Sequence, residues 1–186
     1  TISVKMGIKK SLLVVDMPKG TYDNLKSAEK NVKLVIKKTG CDAVKIESNK
    51  KNYKIIEKLK KKKIAVMGHI GFTPQFKRKF KVEGQSRLEA NKLLKEAKQI
   101  QNAGAFSIVI ECLSPESAKL ITKELNIPTI GIGSSKYCDG QILVTQDLLG
   151  LTAKGVPSFV SPYANLAKDA SVALSRYVGD IRNKRK

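Results

Sequence analysis

The segment FSIVIE, at residues 106–111, is a short apolar run that ends in a carboxylate. It is apolar at consecutive positions and rich in Val and Ile, which is typical of a strand covered on both faces in a parallel sheet. Five other segments share this character, and we predict further strands at residues 12–16, 43–47, 64–68, 129–133 and 141–144. The sequence therefore predicts a sheet of six parallel strands.

Amphipathic patterns predict helices between these strands. Ser86 begins a capping box, and Ser114 precedes a proline suited to a first helical turn. Apolar residues spaced three and four apart indicate the others, so that the predicted helical stretches are residues 25–40, 55–59, 86–104, 114–125 and 162–178. Strand alternating with helix predicts an α/β fold.

The number of strands leaves two architectures open. A complete (β/α)₈ barrel has eight strands and typically ~250 residues, whereas this chain has 186. The chain forms either an open sheet or a barrel that lacks two βα units at its front. It begins at Thr1 rather than at Met, which favours the second option. We expect one incomplete barrel domain at residues 1–182 and a basic tail at 183–186.

The composition is that of a soluble protein with an unusual charge. The longest apolar runs are far shorter than the ~20 residues of a membrane span, and no secretory leader pattern opens the chain. The three cysteines are odd in number and lack metal-type spacing, so we interpret them as reduced thiols in a cytoplasmic protein. Neither a membrane nor a disulfide framework is expected.

The net charge of +20 would attract nucleic acid or acidic small molecules. The lysines are scattered through every segment, and aromatic residues make up only 5%, with no Trp on which bases could stack. We favour a lysine-rich surface without a specific nucleic-acid partner. A basic nucleic-acid-binding module remains an alternative.

Charged residues stand at the ends of four consecutive predicted strands: Asp16, the pair Lys45 and Glu47, His69 and Glu111. The carboxyl ends of parallel barrel strands converge on one face, so we expect these five side chains in one mouth. These residues offer carboxylate oxygens but no set of Cys and His ligands. They therefore suit a hard cation such as Mg²⁺ better than zinc.

This set of residues suits enolate chemistry. A Mg²⁺ ion chelated by a 2-oxo acid would acidify the adjacent carbon. Glu111 could accept the proton, and Lys45 could hold the substrate carboxylate or the enolate oxygen. Cys112, beside Glu111, is interpreted as a packing residue rather than a nucleophile. No serine elbow, P-loop or dinucleotide fingerprint is present.

Two long segments carry a family resemblance: MGHIGFTPQ at residues 67–75 and IPTIGIGSSKYCDGQILV at residues 127–144. LVVDMP, DAVKIE, VIECLSPESAKLIT and FVSPYANL occur in the matching order. With these segments, residues 11–166 resemble the ketopantoate hydroxymethyltransferase family. The resemblance implies a (β/α)₈ TIM barrel of the phosphoenolpyruvate-mutase type, here with strands 3–8 and their helices, in a homo-oligomer that is a decamer in the family.

The resemblance also implies a reaction. The family transfers a hydroxymethyl group from 5,10-methylenetetrahydrofolate to 3-methyl-2-oxobutanoate, giving 2-dehydropantoate for pantothenate biosynthesis. The partners implied are therefore a small keto acid and a folate, with Mg²⁺ as cofactor. A metal-dependent carbon–carbon lyase or mutase on the same barrel is the second enzymatic interpretation.

By the same resemblance, Asp16 is a Mg²⁺ ligand that also contacts the keto acid, and Glu47 is a second metal ligand. Lys45 is implied to bind the substrate and Glu111 to accept the proton. His69 lies in the segment MGHIGFTPQ and is expected to contact substrate in the mouth of the barrel. The family's first metal ligand lies in a Gly-Asp-Ser-Leu-Gly segment that has no counterpart here, which implies an incomplete metal site.

Overall fold

The structure is a computed structural model that describes residues 1–48, 52–152 and 155–184. Its chain groups into two compact units, Thr1–Gln141 and Ile142–Lys186. No helix in the described ranges is both long and apolar enough to cross a membrane.

Six strands form one sheet in the first unit, and all of their pairings are parallel, as predicted. The strands are β1 (Val14–Asp16), β2 (Ala43–Lys45), β3 (Ala65–Gly71), β4 (Ser107–Glu111), β5 (Thr129–Ile132) and β6 (Gly140–Gln141).

The strands lie in the sheet in the order in which they occur in the chain, from β1 to β6. Right-handed crossovers, the rule for parallel strands, then place all connecting helices on one face of the sheet. A doubly wound sheet would instead reverse its strand order near the middle. The strands of a (β/α) barrel have this sequential order, so the observed order confirms the predicted fold class.

All six strands differ from their predicted bounds by one to three residues at one end or both. β1 begins at Val14 and β2 ends at Lys45 rather than at Glu47, and the largest differences are in β3 and β6. β3 continues to Gly71 because His69, Ile70 and Gly71 pair with the last three residues of β4, so His69 lies within the strand rather than after it. β6 is limited to two residues that pair with β5, and the predicted continuation to residue 144 is wrong.

Five helices are described in the first unit outside residues 49–51: α1 (Ile2–Gly7), α2 (Leu25–Thr39), α3 (Tyr53–Lys61), α4 (Arg87–Asn102) and α5 (Pro115–Glu124). Ser86 and Ser114 cap α4 and α5 as predicted, each accepting a hydrogen bond from the backbone N–H three residues later. The sequence patterns did not indicate α1, in which no residue is buried.

The second unit contains α6 (Thr145–Leu148) and α7 (Leu166–Asn183). The last helix begins after Asn165, whose side chain accepts from the N–H of Lys168, and not at the predicted Pro162. Residues 183 and 184 of the predicted tail lie at the end of α7, and residues 185–186 lie outside the described residues.

The core lies between the sheet and the helices, where the apolar faces of both are buried. Ile108 and Ile110 of β4 and Ile100 of α4 are fully buried. Burial of such a side chain stabilises the fold by roughly 1.5–3 kcal/mol relative to exposure. Gly68 allows the close contact of β3 with α4, since a Cβ there would lie 2.4 Å from Cγ2 of Ile100.

We predict that Gly68→Ala lowers the free energy of unfolding by about 1–3 kcal/mol, because the added methyl group overpacks the contact with Ile100. The measurement is urea unfolding followed by circular dichroism. Gly179→Ala is the matched control: Gly179 lies within α7, where a Cβ would meet no atom within 4 Å, and alanine there should raise stability by up to about 1 kcal/mol. Equal effects of the two changes would contradict the packing argument.

Candidate active site

The five predicted site residues lie together at the carboxyl ends of β1 to β4. Asp16 and Glu111 are the last residues of their strands, Lys45 ends β2, and Glu47 follows two residues later. The register places Asp16 beside Lys45. Because the strands are parallel and adjacent, their polar ends meet at one edge of the sheet, as the sequence indicated.

The ammonium group of Lys45 joins two of these residues. Its Nζ lies 3.0 Å from Oδ2 of Asp16 and 3.1 Å from Nδ1 of His69. An ammonium group only donates hydrogen bonds, so Nδ1 accepts and the hydrogen of the ring is on Nε2. The Lys45 side chain is only 15% exposed, whereas that of Asp16 is 53% exposed. The ammonium group of Lys45 therefore places a positive charge between the exposed Asp16 and the buried His69.

His69 lies between the lysine and Glu111. Its Nε2 is 3.3 Å from Oε2 of Glu111, but the geometry does not form a hydrogen bond, and this buried nitrogen has no hydrogen-bond partner among the described residues. A buried N–H without a partner is costly. His69 is thus oriented toward Glu111 with a donor that can serve a bound molecule.

Glu47 is the buried carboxylate of the site. Its Oε2 accepts a hydrogen bond of 3.0 Å from the backbone N–H of Gln75, and its Oε1 lies 4.0 Å from Nδ1 of His69. Burial raises the pKa of Glu47, while the nearby His69 ring, the Gln75 hydrogen bond and the charge of Lys45 oppose this shift. A cation beside Glu47 would favour its charged form.

Gln75 and Tyr22 also belong to this site, and neither was predicted. The hydroxyl of Tyr22 donates to Oε1 of Gln75 at 2.7 Å, and Tyr22 is fully buried. Burial, together with the charges of Glu47 and Asp16, raises the pKa of Tyr22, so its hydroxyl stays a donor at neutral pH. Gln75 ends the segment MGHIGFTPQ, which was the only sequence signal for it.

Asp16 and Glu47 are the residues that could hold a metal ion. Across residues 1–48, 52–152 and 155–184, no three His, Cys, Asp or Glu side chains form a group that could hold one. The charge of Asp16 nevertheless reaches Glu47 and contributes to its raised pKa. Mg²⁺ is commonly held by one or two protein carboxylates, with water and substrate oxygens completing its shell. The two carboxylates fit that pattern, and zinc would need a larger set of protein ligands.

Cys112 follows Glu111 and is buried, with a positive φ of 53°. Burial, reinforced by the charges of Glu111 and Glu83, raises the pKa of the Cys112 thiol to about 12. A nucleophilic cysteine needs a lowered pKa. Cys112 therefore lacks the environment of a reactive thiol.

A solved structure with a similar fold supports the architecture. A provisionally named phosphonomutase from Burkholderia cenocepacia matches with a TM-score of 0.54 and 14% sequence identity, over 66% of this chain and 54% of that protein. At this identity the likeness concerns the fold alone. It agrees with the barrel type that the family resemblance implied.

Sequence comparison identifies the family. The family model of ketopantoate hydroxymethyltransferase matches residues 1–185. The 3-methyl-2-oxobutanoate hydroxymethyltransferase of Pelagibacter ubique is 49% identical over 96% of this chain and 69% of its own length. The proteins of that name from Clostridium botulinum and Pseudothermotoga lettingae are 45% and 42% identical, over 97% and 100% of this chain and 67% and 71% of their own lengths. The chain belongs to the ketopantoate hydroxymethyltransferase family, a family of transferases.

Proposed function

We propose that this protein transfers a hydroxymethyl group from 5,10-methylenetetrahydrofolate to 3-methyl-2-oxobutanoate, giving 2-dehydropantoate in pantothenate biosynthesis. The observation that carries the proposal is the meeting of Asp16, Lys45, Glu47, His69 and Glu111 at one edge of the sheet. Family membership and the names of the relatives agree with it.

Glu111 is the proposed base. Its carboxylate would take the proton from C3 of the keto acid, and the electrons of the C–H bond would pass into the C2–C3 bond and onto the carbonyl oxygen. The side chain is 17% exposed, so it is accessible at the rim yet only partly hydrated. His69, 3.3 Å away, would limit the positions that this carboxylate adopts.

Lys45 is the proposed anchor for the negative charge of the substrate. Its ammonium group is largely shielded from water, where its attraction for a carboxylate or an enolate oxygen is stronger than at an open surface. Its contacts with Asp16 and His69 hold it in place before substrate binds. The lysine would therefore stabilise charge that develops during proton removal.

Asp16 and Glu47 are the proposed ligands of Mg²⁺. When bound there, the ion would withdraw electron density from the keto carbonyl and so ease the loss of the C3 proton. Asp16, the more exposed of the two, would also lie against the keto acid.

The transfer step balances with one molecule of water. The methylene carbon of the folate exchanges its two bonds to nitrogen for a bond to C3 of the keto acid and a bond to an oxygen derived from water. Tetrahydrofolate leaves with two protons on its nitrogens, one from C3 and one from water. No oxidant or reductant is required.

We infer that the protein works as a homo-oligomer, as the family resemblance implies. Its cysteine pattern supports a location in the cytoplasm. Both of its proposed substrates are small anions, and a net charge of +20 would increase their rate of encounter with the site. Neither a membrane nor a specific nucleic acid has a part in this proposal.

We predict that Glu111→Gln reduces the exchange of the C3 proton of 3-methyl-2-oxobutanoate for deuterium by at least ~100-fold, because an amide cannot accept the proton. Proton NMR in D₂O follows this half-reaction without folate. Glu116→Gln is the matched control, since Glu116 is exposed in the first turn of α5 and the charge change is the same. Retained exchange in Glu111→Gln would remove this residue as the base.

Removal of Mg²⁺ with a chelator should abolish the same exchange, and added Mg²⁺ should restore it. The physical reason is that an unassisted 2-oxo acid loses its C3 proton slowly at neutral pH. Glu47→Gln and Asp16→Asn should each raise the Mg²⁺ concentration needed for half-maximal exchange. Exchange that continues at full rate without metal would overturn the proposed role of the two carboxylates.

A further inference from the structure

Gln75 connects three segments that follow neighbouring strands. Its side-chain Nε2 donates to the backbone oxygen of Met17, directly after β1, at 3.0 Å. Its Oε1 accepts from the hydroxyl of Tyr22 at 2.7 Å, and its own backbone N–H donates to Oε2 of Glu47 at 3.0 Å. One residue of the loop after β3 is therefore bound to the segments after β1 and β2.

The partners of Gln75 are buried, which makes these bonds costly to lose. Met17, Tyr22 and Glu47 are 1–2% exposed, so a partner left without Gln75 could not turn to water. An unsatisfied buried polar group costs about 1–3 kcal/mol. The bonds therefore restrict the position of residue 75 more strongly than equivalent bonds at the surface would.

The loop around Gln75 is short and turns tightly. The backbone N–H groups of Phe76 and Lys77 both donate to the oxygen of Thr73, and Pro74 lies within this turn. The Phe76 ring packs edge-on against Tyr22, with 6.4 Å between centroids. The turn is thus a compact unit, and its attachment to the β1 side depends on Tyr22 and on the side chain of Gln75.

From these contacts we infer that Gln75 is a positioning residue of the metal site. Its side chain, held by Tyr22 and Met17, keeps its backbone N–H on Glu47 and so selects the orientation in which the other carboxylate oxygen is free for a cation. The inference rests on the proposed function for the role of Glu47. It assigns to Gln75 no contact with the substrate.

The test uses Gln75→Met, Tyr22→Phe and the double variant. Methionine preserves the length of the side chain and removes both of its hydrogen bonds, whereas Tyr22→Phe removes one. Thr122→Val is the matched control, because Thr122 makes a partly buried side-chain hydrogen bond of 2.9 Å to Thr129, on β5 and remote in sequence from the site. All variants are compared in the same 186-residue chain.

The first readout is hydrogen exchange of the backbone amide of residue 75, measured by NMR without metal or substrate. We expect exchange at least ~10-fold faster in Gln75→Met and an intermediate effect in Tyr22→Phe. The double variant should exchange no faster than Gln75→Met, since the bond that Tyr22→Phe removes is already lost in Gln75→Met. Thr122→Val should leave this amide unchanged. Unaltered protection in Gln75→Met would overturn the inference.

The second readout is the affinity for Mg²⁺, obtained from the rise in the unfolding midpoint as the ion is added. Gln75→Met should weaken binding several-fold, whereas Thr122→Val should lower the midpoint without changing the affinity. Equal Mg²⁺ affinity in Gln75→Met and wild type would contradict the inference.

If wild-type protein neither binds Mg²⁺ nor exchanges the C3 proton, the proposed function fails, and the amide measurement still decides whether Gln75 holds Glu47. Tyr22→Phe, the milder change, serves if Gln75→Met does not fold.

Discussion

Parallel hydrogen bonding between strands in sequential order is the constraint on which this protein depends. Each strand runs in the same direction as its neighbour, so the end of each strand reaches the same edge of the sheet. Side chains that are 95 positions apart in the chain, such as Asp16 and Glu111, thereby lie in the same site. The apolar residues between sheet and helices hold this register, because a shift of one residue would turn the strand residues to the opposite face.

The charged side chains at this edge of the sheet differ in burial and in their hydrogen-bond partners. The lysine is shared between an exposed aspartate and a buried histidine, while Glu47 is buried and accepts a hydrogen bond from the backbone N–H of Gln75. An ion pair at the surface contributes little to stability, so the Asp16–Lys45 contact serves mainly to orient the lysine. Burial raises the pKa of Glu47 despite the nearby ammonium group of Lys45. Such an arrangement favours a small cation and an anionic substrate over a purely structural role.

The ends of strands could be predicted well where apolar runs stop at a charged residue. Asp16 and Glu111 are the clearest examples, since each ends its strand in both the pattern and the structure. β3 was predicted to end at Gly68, whereas it continues to Gly71, although glycine is unfavourable in strands. In the structure, Gly71 has a positive φ of 88°, and a Cβ there would lie 2.2 Å from the backbone oxygen of Glu111. Pairing with β4 outweighs the local preference at both glycines of this strand.

The order of apolar and polar residues was sufficient by itself to establish the parallel α/β class, the helix caps at Ser86 and Ser114, and the set of charged strand ends, because each of these depends on residues close together in the chain. The hydrogen bond from Tyr22 to Gln75 spans 53 positions, and the approach of His69 Nε2 to Glu111 depends on how the neighbouring strand places Glu111. Only tertiary structure could decide these contacts, since a side chain's hydrogen-bond partner is chosen by packing among elements and not by its neighbours in sequence.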